Sequence, residues 1–145
     1  MTEPSEPAFT IVEALIALAI LGILAAIAVP AYRDYVIRDA IPEATTSLTT
    51  RHARMEQWYR DTKSYLNAPA EICNDSTTSK NFTFTCTFPP TGNRYTLVAT
   101  GKGTMQDFQF TLDDQGRKSS AVSAVSGWTV HNPNDCWVMQ KTGMC

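Results

Sequence analysis

The 145-residue sequence is 43% hydrophobic and 18% charged, close to the average of globular proteins. Its formal net charge is −2, and both excess charges disappear if the first eight residues, with Glu3 and Glu6, are removed. A neutral chain has no general electrostatic pull toward nucleic acid, and the absence of a nucleophile elbow, phosphate loop or paired catalytic constellation points away from an enzyme.

Met1–Ala8 is polar, with Pro4 and Pro7, and lacks the basic start of a standard secretory signal. From Phe9 to Val29 only Glu13 is charged. A helix of that length crosses a bilayer core of roughly 30 Å. Its start is expected near Phe9 or Thr10. Pro30 lacks a backbone donor and should bend it. Around and beyond Pro42, Ile41, Ala44, Leu48, Met55 and Tyr59 mark one face of an amphipathic helix that fades around Thr62–Tyr65. Glu56 and Arg60 have i, i+4 spacing. A helix of about 50 residues exceeds what a globular domain needs, so its first half must find partners elsewhere.

Asn67–Lys80 reads as a polar connecting loop. Phe82, Phe84, Cys86 and Phe88 alternate with polar residues as in a strand. Pro89–Asn93 is a turn cluster, Tyr95–Thr100 a second strand, and Gly101 and Gly103 a turn. Phe108, Phe110 and Leu112 form a third strand ended by Asp113-Asp114-Gln115-Gly116. That tetrad is too short for an EF-hand loop. The Ser/Val run from Ser119 to Ser126 reads as a flexible loop, a short strand is expected around Trp128–Val130, and Asn132–Cys145 as a terminal loop. A helix followed by an antiparallel meander is an α+β arrangement, with the sheet packed on the distal half of the helix. Trp58, Tyr59 and Tyr65 are expected in the core between them; a stacking platform for nucleic acid is the lesser alternative, since Arg54, Arg60 and Lys63 are offset by Glu56 and Asp61.

Cys73, Cys86, Cys136 and Cys145 are even in number and lie outside the apolar segment, favouring two disulfides in an oxidising compartment. A metal site would want close Cys or His pairs, whereas His52 and His131 stand alone. Of three possible pairings, Cys73–Cys86 with Cys136–Cys145 closes the shortest loops.

A carboxylate near the bilayer core costs roughly 2.5–3.5 kcal/mol on insertion scales, which makes Glu13 a functional suspect. Cleavage before Phe9 would create an α-amino group one helical turn away. In staggered parallel helices Glu13 could meet the amine of a neighbour and set the register between subunits. The plainer reading is a carboxylate at the headgroup level, favoured by the helix dipole by under ~1 kcal/mol. Tyr32 and Tyr35 suit interfacial aromatics.

With Ala8-Phe9-Thr10-Ile11-Val12-Glu13, the apolar run, Pro30-Ala31-Tyr32 and Tyr35, the sequence resembles the type IV pilin and pseudopilin family. Met55-Glu56-Gln57-Trp58-Tyr59 with Ser64-Tyr65, the 95–100 strand, Phe110 to Gly116, and Cys136-Trp137 extend the resemblance over nearly the whole chain. It implies a long N-terminal helix on a three- to four-stranded antiparallel sheet with a C-terminal disulfide loop. It also implies prepilin-peptidase cleavage between Ala8 and Phe9, N-methylation of Phe9, and an assembly role for Glu13 and Pro30. The family's usual Gly before the cut is Ala8 here, the leader is acidic, and Arg33 and Arg38 follow the apolar run against the positive-inside bias. Asp107 stands where similar pilins carry a cysteine, which frees Cys136 for Cys145.

The expected organisation is a leader at 1–8, a transmembrane or filament-core helix at 9–30, and a globular domain at 31–145. Within that domain the expectation is helix 31–64, αβ loop 66–81, sheet 82–130 and C-terminal loop 131–145. The implied function is a structural pilus subunit, held in the bacterial inner membrane before assembly and in an extracellular filament after it. Its partners would be other pilins, the prepilin peptidase and an inner-membrane assembly platform, with no cofactor. The alternatives are a minor pilin serving as an adhesin or DNA-uptake binding module, a secretion pseudopilin, and a single-span anchored domain with an uncut N-terminus.

Overall fold

A computed structural model describes residues 9–145. Helix α1 spans Ile11–Thr62 without interruption at Pro30 or Pro42. The chain divides into two compact units, one ending at Val36 and one comprising Ile37–Cys145. In the first, α1 presents its apolar residues outward: Ile11 is 82% exposed, Leu21 61% and Ile27 69%.

In the second unit α1 buries Ile37, Ala40, Ile41, Ala44, Leu48, Arg51 and Met55. The spacings of three and four place them on one face. Trp58 is half-buried and lies outside the core cluster, a correction to the expectation that it belongs there. Its spacing of three from Met55 keeps it at the edge of the same helical face, so periodicity alone does not exclude it from the core. Lys63, at φ 60°, takes the left-handed conformation that ends a helix, and its N–H donates to the Tyr59 carbonyl at 2.8 Å.

Four strands follow in a meander: β1 (Phe82–Thr87), β2 (Thr96–Gly101), β3 (Phe108–Asp113) and β4 (Lys118–Val122). Their order in the sheet is β1-β2-β3-β4, all antiparallel. Strand period two sends Phe82, Phe84, Leu97, Ala99, Phe108, Phe110 and Leu112 into the core shared with the α1 stripe. Burying each large apolar side chain contributes about 1.5–3 kcal/mol. The opposite face carries Thr83, Thr85, Val98, Thr100, Gln109, Thr111 and Ser119, more open to solvent. Gly101 is required by packing, since a Cβ there would lie 1.7 Å from the Met105 carbonyl oxygen.

Two expectations about this region are corrected. The fourth strand is Lys118–Val122, overlapping the run read as a flexible loop, and Trp128–Val130 is not a strand. The cause is the turn between β3 and β4. The Asp113 carboxylate accepts the N–H groups of Gln115 and Arg117, each at 2.9 Å, and Gly116 takes φ 74°. The returning chain then pairs Val122 with Phe108 and Ser120 with Phe110. Trp128 is buried instead by an edge-on contact with Phe108, at 5.2 Å between ring centroids. The connection before β1 also holds a short helix, α2 (Ala70–Cys73), and an isolated bridge between Asp75 and Phe84.

Candidate assembly site

The site begins where α1 begins. Thr10 Oγ1 accepts the Glu13 N–H at 3.2 Å, and the Thr10 carbonyl accepts the Ala14 N–H at 3.1 Å. Thr10 is therefore the N-cap and Glu13 the third helical residue, which is the spacing of a capping box with only the bond to the Thr10 hydroxyl formed. The Thr-x-x-Glu spacing was readable in the sequence. The Glu13 carboxylate is exposed and makes no ion pair or hydrogen bond among the described residues. Phe9 beside it is 73% exposed. The helix is long and apolar enough to cross a membrane. Its bare surface far exceeds the patches that monomeric soluble proteins leave open. Pro30 continues the helix, and Ala8 lies outside the described residues.

Residues 5–29 match the model of the prokaryotic N-terminal methylation motif. Residues 30–110 match the family described as type IV minor pilin ComP, DNA uptake sequence receptor. The chain belongs to this type IV pilin family. It is 41% identical over 61 residues to fimbrial protein EcpC of Eikenella corrodens, covering 42% of this chain and 40% of that one. It is also 41% identical over 51 residues to the type IV major pilin PilE1 of Neisseria gonorrhoeae, covering 35% and 31%. The matches thus span two fifths or less of these relatives. The crystal structure of the Neisseria meningitidis non-core minor pilin PilV superposes with a TM-score of 0.54 at 22% identity, covering 64% of this chain and 94% of that one. That likeness establishes the type IV pilin fold, and pilins are structural rather than catalytic proteins.

In this pilin the loops around the sheet are pinned by polar residues that periodicity does not reveal. Arg51 sits on the buried stripe of α1, where a charged residue among Leu48 and Met55 was the readable signal. Its Nη1 donates to the Glu71 and Ile72 carbonyls at 2.7 and 2.8 Å, and Nη2 meets Asp75 Oδ2 at 2.5 Å. Its guanidinium carbon lies 4.4 Å from the Phe84 ring centroid, within cation–π range. Asp75 also accepts the Thr77 and Thr78 N–H groups at 3.0 Å and the Thr78 hydroxyl. Those bonds from Thr78 and Thr77, with Arg51 behind them, hold its carboxyl well below the usual carboxylate range. Cys73–Cys86 ties α2 to β1 beside this pair, with Cα atoms 4.8 Å apart.

Glu43 fastens the other end of the loop. It accepts the Ser79 hydroxyl at 2.6 Å, the Asn81 amide at 2.7 Å and the Lys80 N–H at 3.1 Å. Burial pushes its carboxyl up, but these donors outweigh it and the net shift is down. Glu56 accepts both the Tyr65 and Tyr95 hydroxyls at 3.0 Å, and Tyr95 lies 2.6 Å from His52 Nδ1. Burial, then Glu56, pushes the Tyr65 phenol up to about 12, and burial raises Tyr95 further. All of these groups hold structure in place. None forms a nucleophile–base arrangement.

The C-terminal segment closes over the β4 edge. Asn134 donates to the Ser120 carbonyl at 2.8 Å and accepts the Ser120 N–H at 2.9 Å, as a neighbouring strand would. Ser120 Oγ donates to the Cys136 carbonyl at 3.0 Å and accepts the Val138 N–H at 2.9 Å. Trp137 Nε1 donates to the Thr111 carbonyl at 2.8 Å, and Lys118 Nζ lies 4.5 Å from the Trp137 ring centroid. Cys136 and Cys145 are joined by a disulfide.

Proposed function

We propose that the chain is a subunit of a type IV pilus that is cut between Ala8 and Phe9, methylated at the new amine, and polymerised through α1. The methylation-motif match over residues 5–29 carries this reading, together with an exposed apolar stretch from Phe9 to Val29 whose one charge, the Glu13 carboxylate, has no partner among the described residues. Glu13 pairs with the Phe9 amine of a neighbouring subunit and sets the axial stagger, while the apolar residues around it bury against other helices. Before assembly the same helix holds the subunit in the bacterial inner membrane, where the prepilin peptidase and the assembly platform act on it. The domain from Ile37 then faces outward on an extracellular filament.

Mass spectrometry of the mature chain tests the processing step. N-methyl-Phe9 at the N-terminus is expected, and an intact Met1 would rule the route out. Glu13→Ala is expected to cut filament incorporation by tenfold or more, the effect of about 1.4 kcal/mol or more in subunit pairing, while the outer domain stays folded. Incorporation at the wild-type level would remove the pairing mechanism.

A second reading is supported by the family description, which names a DNA uptake sequence receptor. On this reading the subunit is a minor pilin that contacts DNA. Arg54 lines an open groove of about 600 Å³ with Thr46, Thr50, Glu71, Asn74 and Thr77, and Arg60, Lys63 and Lys80 are exposed. Binding through phosphates would weaken steeply with salt. A chain begun at Tyr35, titrated with labelled duplex DNA at two ionic strengths, distinguishes this role from a purely structural one. Absence of salt-sensitive binding would leave the structural role alone.

A further inference from the structure

His131 stands alone in the sequence, but the fold brings it to the C-terminal cystine. A ring nitrogen of His131 and the sulfur atoms of Cys136 and Cys145 all lie within 4.8 Å of one another. His131 and Cys145 are exposed and Cys136 is half-buried, so solvent reaches the group. The imidazole is held by a 2.9 Å contact between Nδ1 and the Gly143 carbonyl. When Nδ1 carries the proton, this is the backbone contact that orients metal-binding histidines. Gly143 is itself buried against residue 130, where an added Cβ would lie 2.8 Å from the Val130 carbonyl oxygen. The carbonyl that positions His131 is therefore part of a packed turn rather than a free end.

We infer that the reduced form of this loop is a binding site for Zn²⁺, with Cys136, Cys145 and His131 as its ligands and a fourth position open to water. Two thiolates and an imidazole are a donor set that zinc takes in tetrahedral geometry, at about 2.3 Å to sulfur and 2.0–2.1 Å to nitrogen. The disulfide occupies both sulfurs in the oxidised loop, so binding requires its reduction. Two molecules of a thiol reductant, RSH, become RSSR and pass two electrons and two protons to the cystine. Zinc then displaces the two thiol protons as it binds. The exposed cystine is the accessible one for this exchange, whereas Cys73 of the other pair is 3% exposed. The terminal loop can thus be closed in two ways, by a covalent bond under oxidising conditions and by a metal ion under reducing ones.

The full-length protein in detergent tests this. Reduction with a phosphine, which is oxidised to its oxide while water supplies the oxygen and the two thiol protons, is followed by titration with Co²⁺ as a spectroscopic stand-in. The expected result is one equivalent bound per reduced chain, with thiolate-to-cobalt charge-transfer and tetrahedral visible bands that Zn²⁺ abolishes. The oxidised chain should show neither band. The Cys136→Ser/Cys145→Ser double variant, which keeps Cys73 and Cys86, should lose the signal. His131→Ala should weaken binding by about tenfold or more and alter the visible bands. No stoichiometric binding by the reduced chain, equal binding by the oxidised chain, a signal surviving in the double variant, or an unchanged His131→Ala spectrum would each overturn the inference.

Discussion

Glu13 and Asp75 are both carboxylates, and their surroundings assign them opposite tasks. Glu13 has no side-chain partner among the described residues and stands beside an apolar surface, so it is available to another molecule. Asp75 is surrounded by donors from Thr77, Thr78 and Arg51, so its charge is consumed inside the fold. The linkage consequence follows from the sign of its shift. A carboxyl whose folded pKa lies below its unfolded value contributes stability that is full above the unfolded pKa and lost as pH falls toward the folded one. Glu43 and Asp113 are shifted in the same direction: burial raises both, and their hydrogen bonds more than reverse it. Stability is therefore expected to decline from about pH 4 downward, the unperturbed carboxylate range. Asp75→Asn should unfold several degrees lower at neutral pH and show a shallower acid decline, as read from thermal midpoints across pH 2–7. An acid profile identical to wild type would show that the Asp75 charge adds nothing to stability.

At the scale of elements, β4 shows how a weak strand is held. Lys118–Val122 has little β-propensity of its own, and its sequence carries none of the aromatic alternation of β1 and β3. Three things hold it: the Asp113–Gly116 turn, the register against β3, and the Asn134 amide on its outer edge. Only the turn was legible, because Ser120's partners at 134, 136 and 138 come from a distant segment. Asn134→Ala leaves the Ser120 N–H and carbonyl without those partners and is expected to cost about 1–3 kcal/mol, measured by denaturant unfolding. It should also expose the β4 edge and raise self-association in light scattering. A variant as stable and as monomeric as wild type would show that the edge needs no cap.

Across the whole molecule, one helix serves two environments. The stripe from Ile37 to Met55 is satisfied by its own sheet, while residues 9–33 remain exposed. A chain begun at Tyr35 is expected to be monomeric without detergent and to unfold in one cooperative step, whereas the full chain should need detergent. Sedimentation of the two chains with and without detergent measures this, and aggregation of the shortened chain would place an essential part of the core before residue 35. The sequence by itself determined the apolar helix, its lone carboxylate, the buried stripe and the three aromatic strands. These are local patterns, written in the spacing of residues along one element. Tertiary structure alone decided the position of β4, the burial of Arg51 against Asp75, the Asn134 edge cap and the meeting of His131 with Cys136 and Cys145. Each of these joins residues distant in sequence or depends on a partner supplied by another element, so no periodicity within a single segment records it.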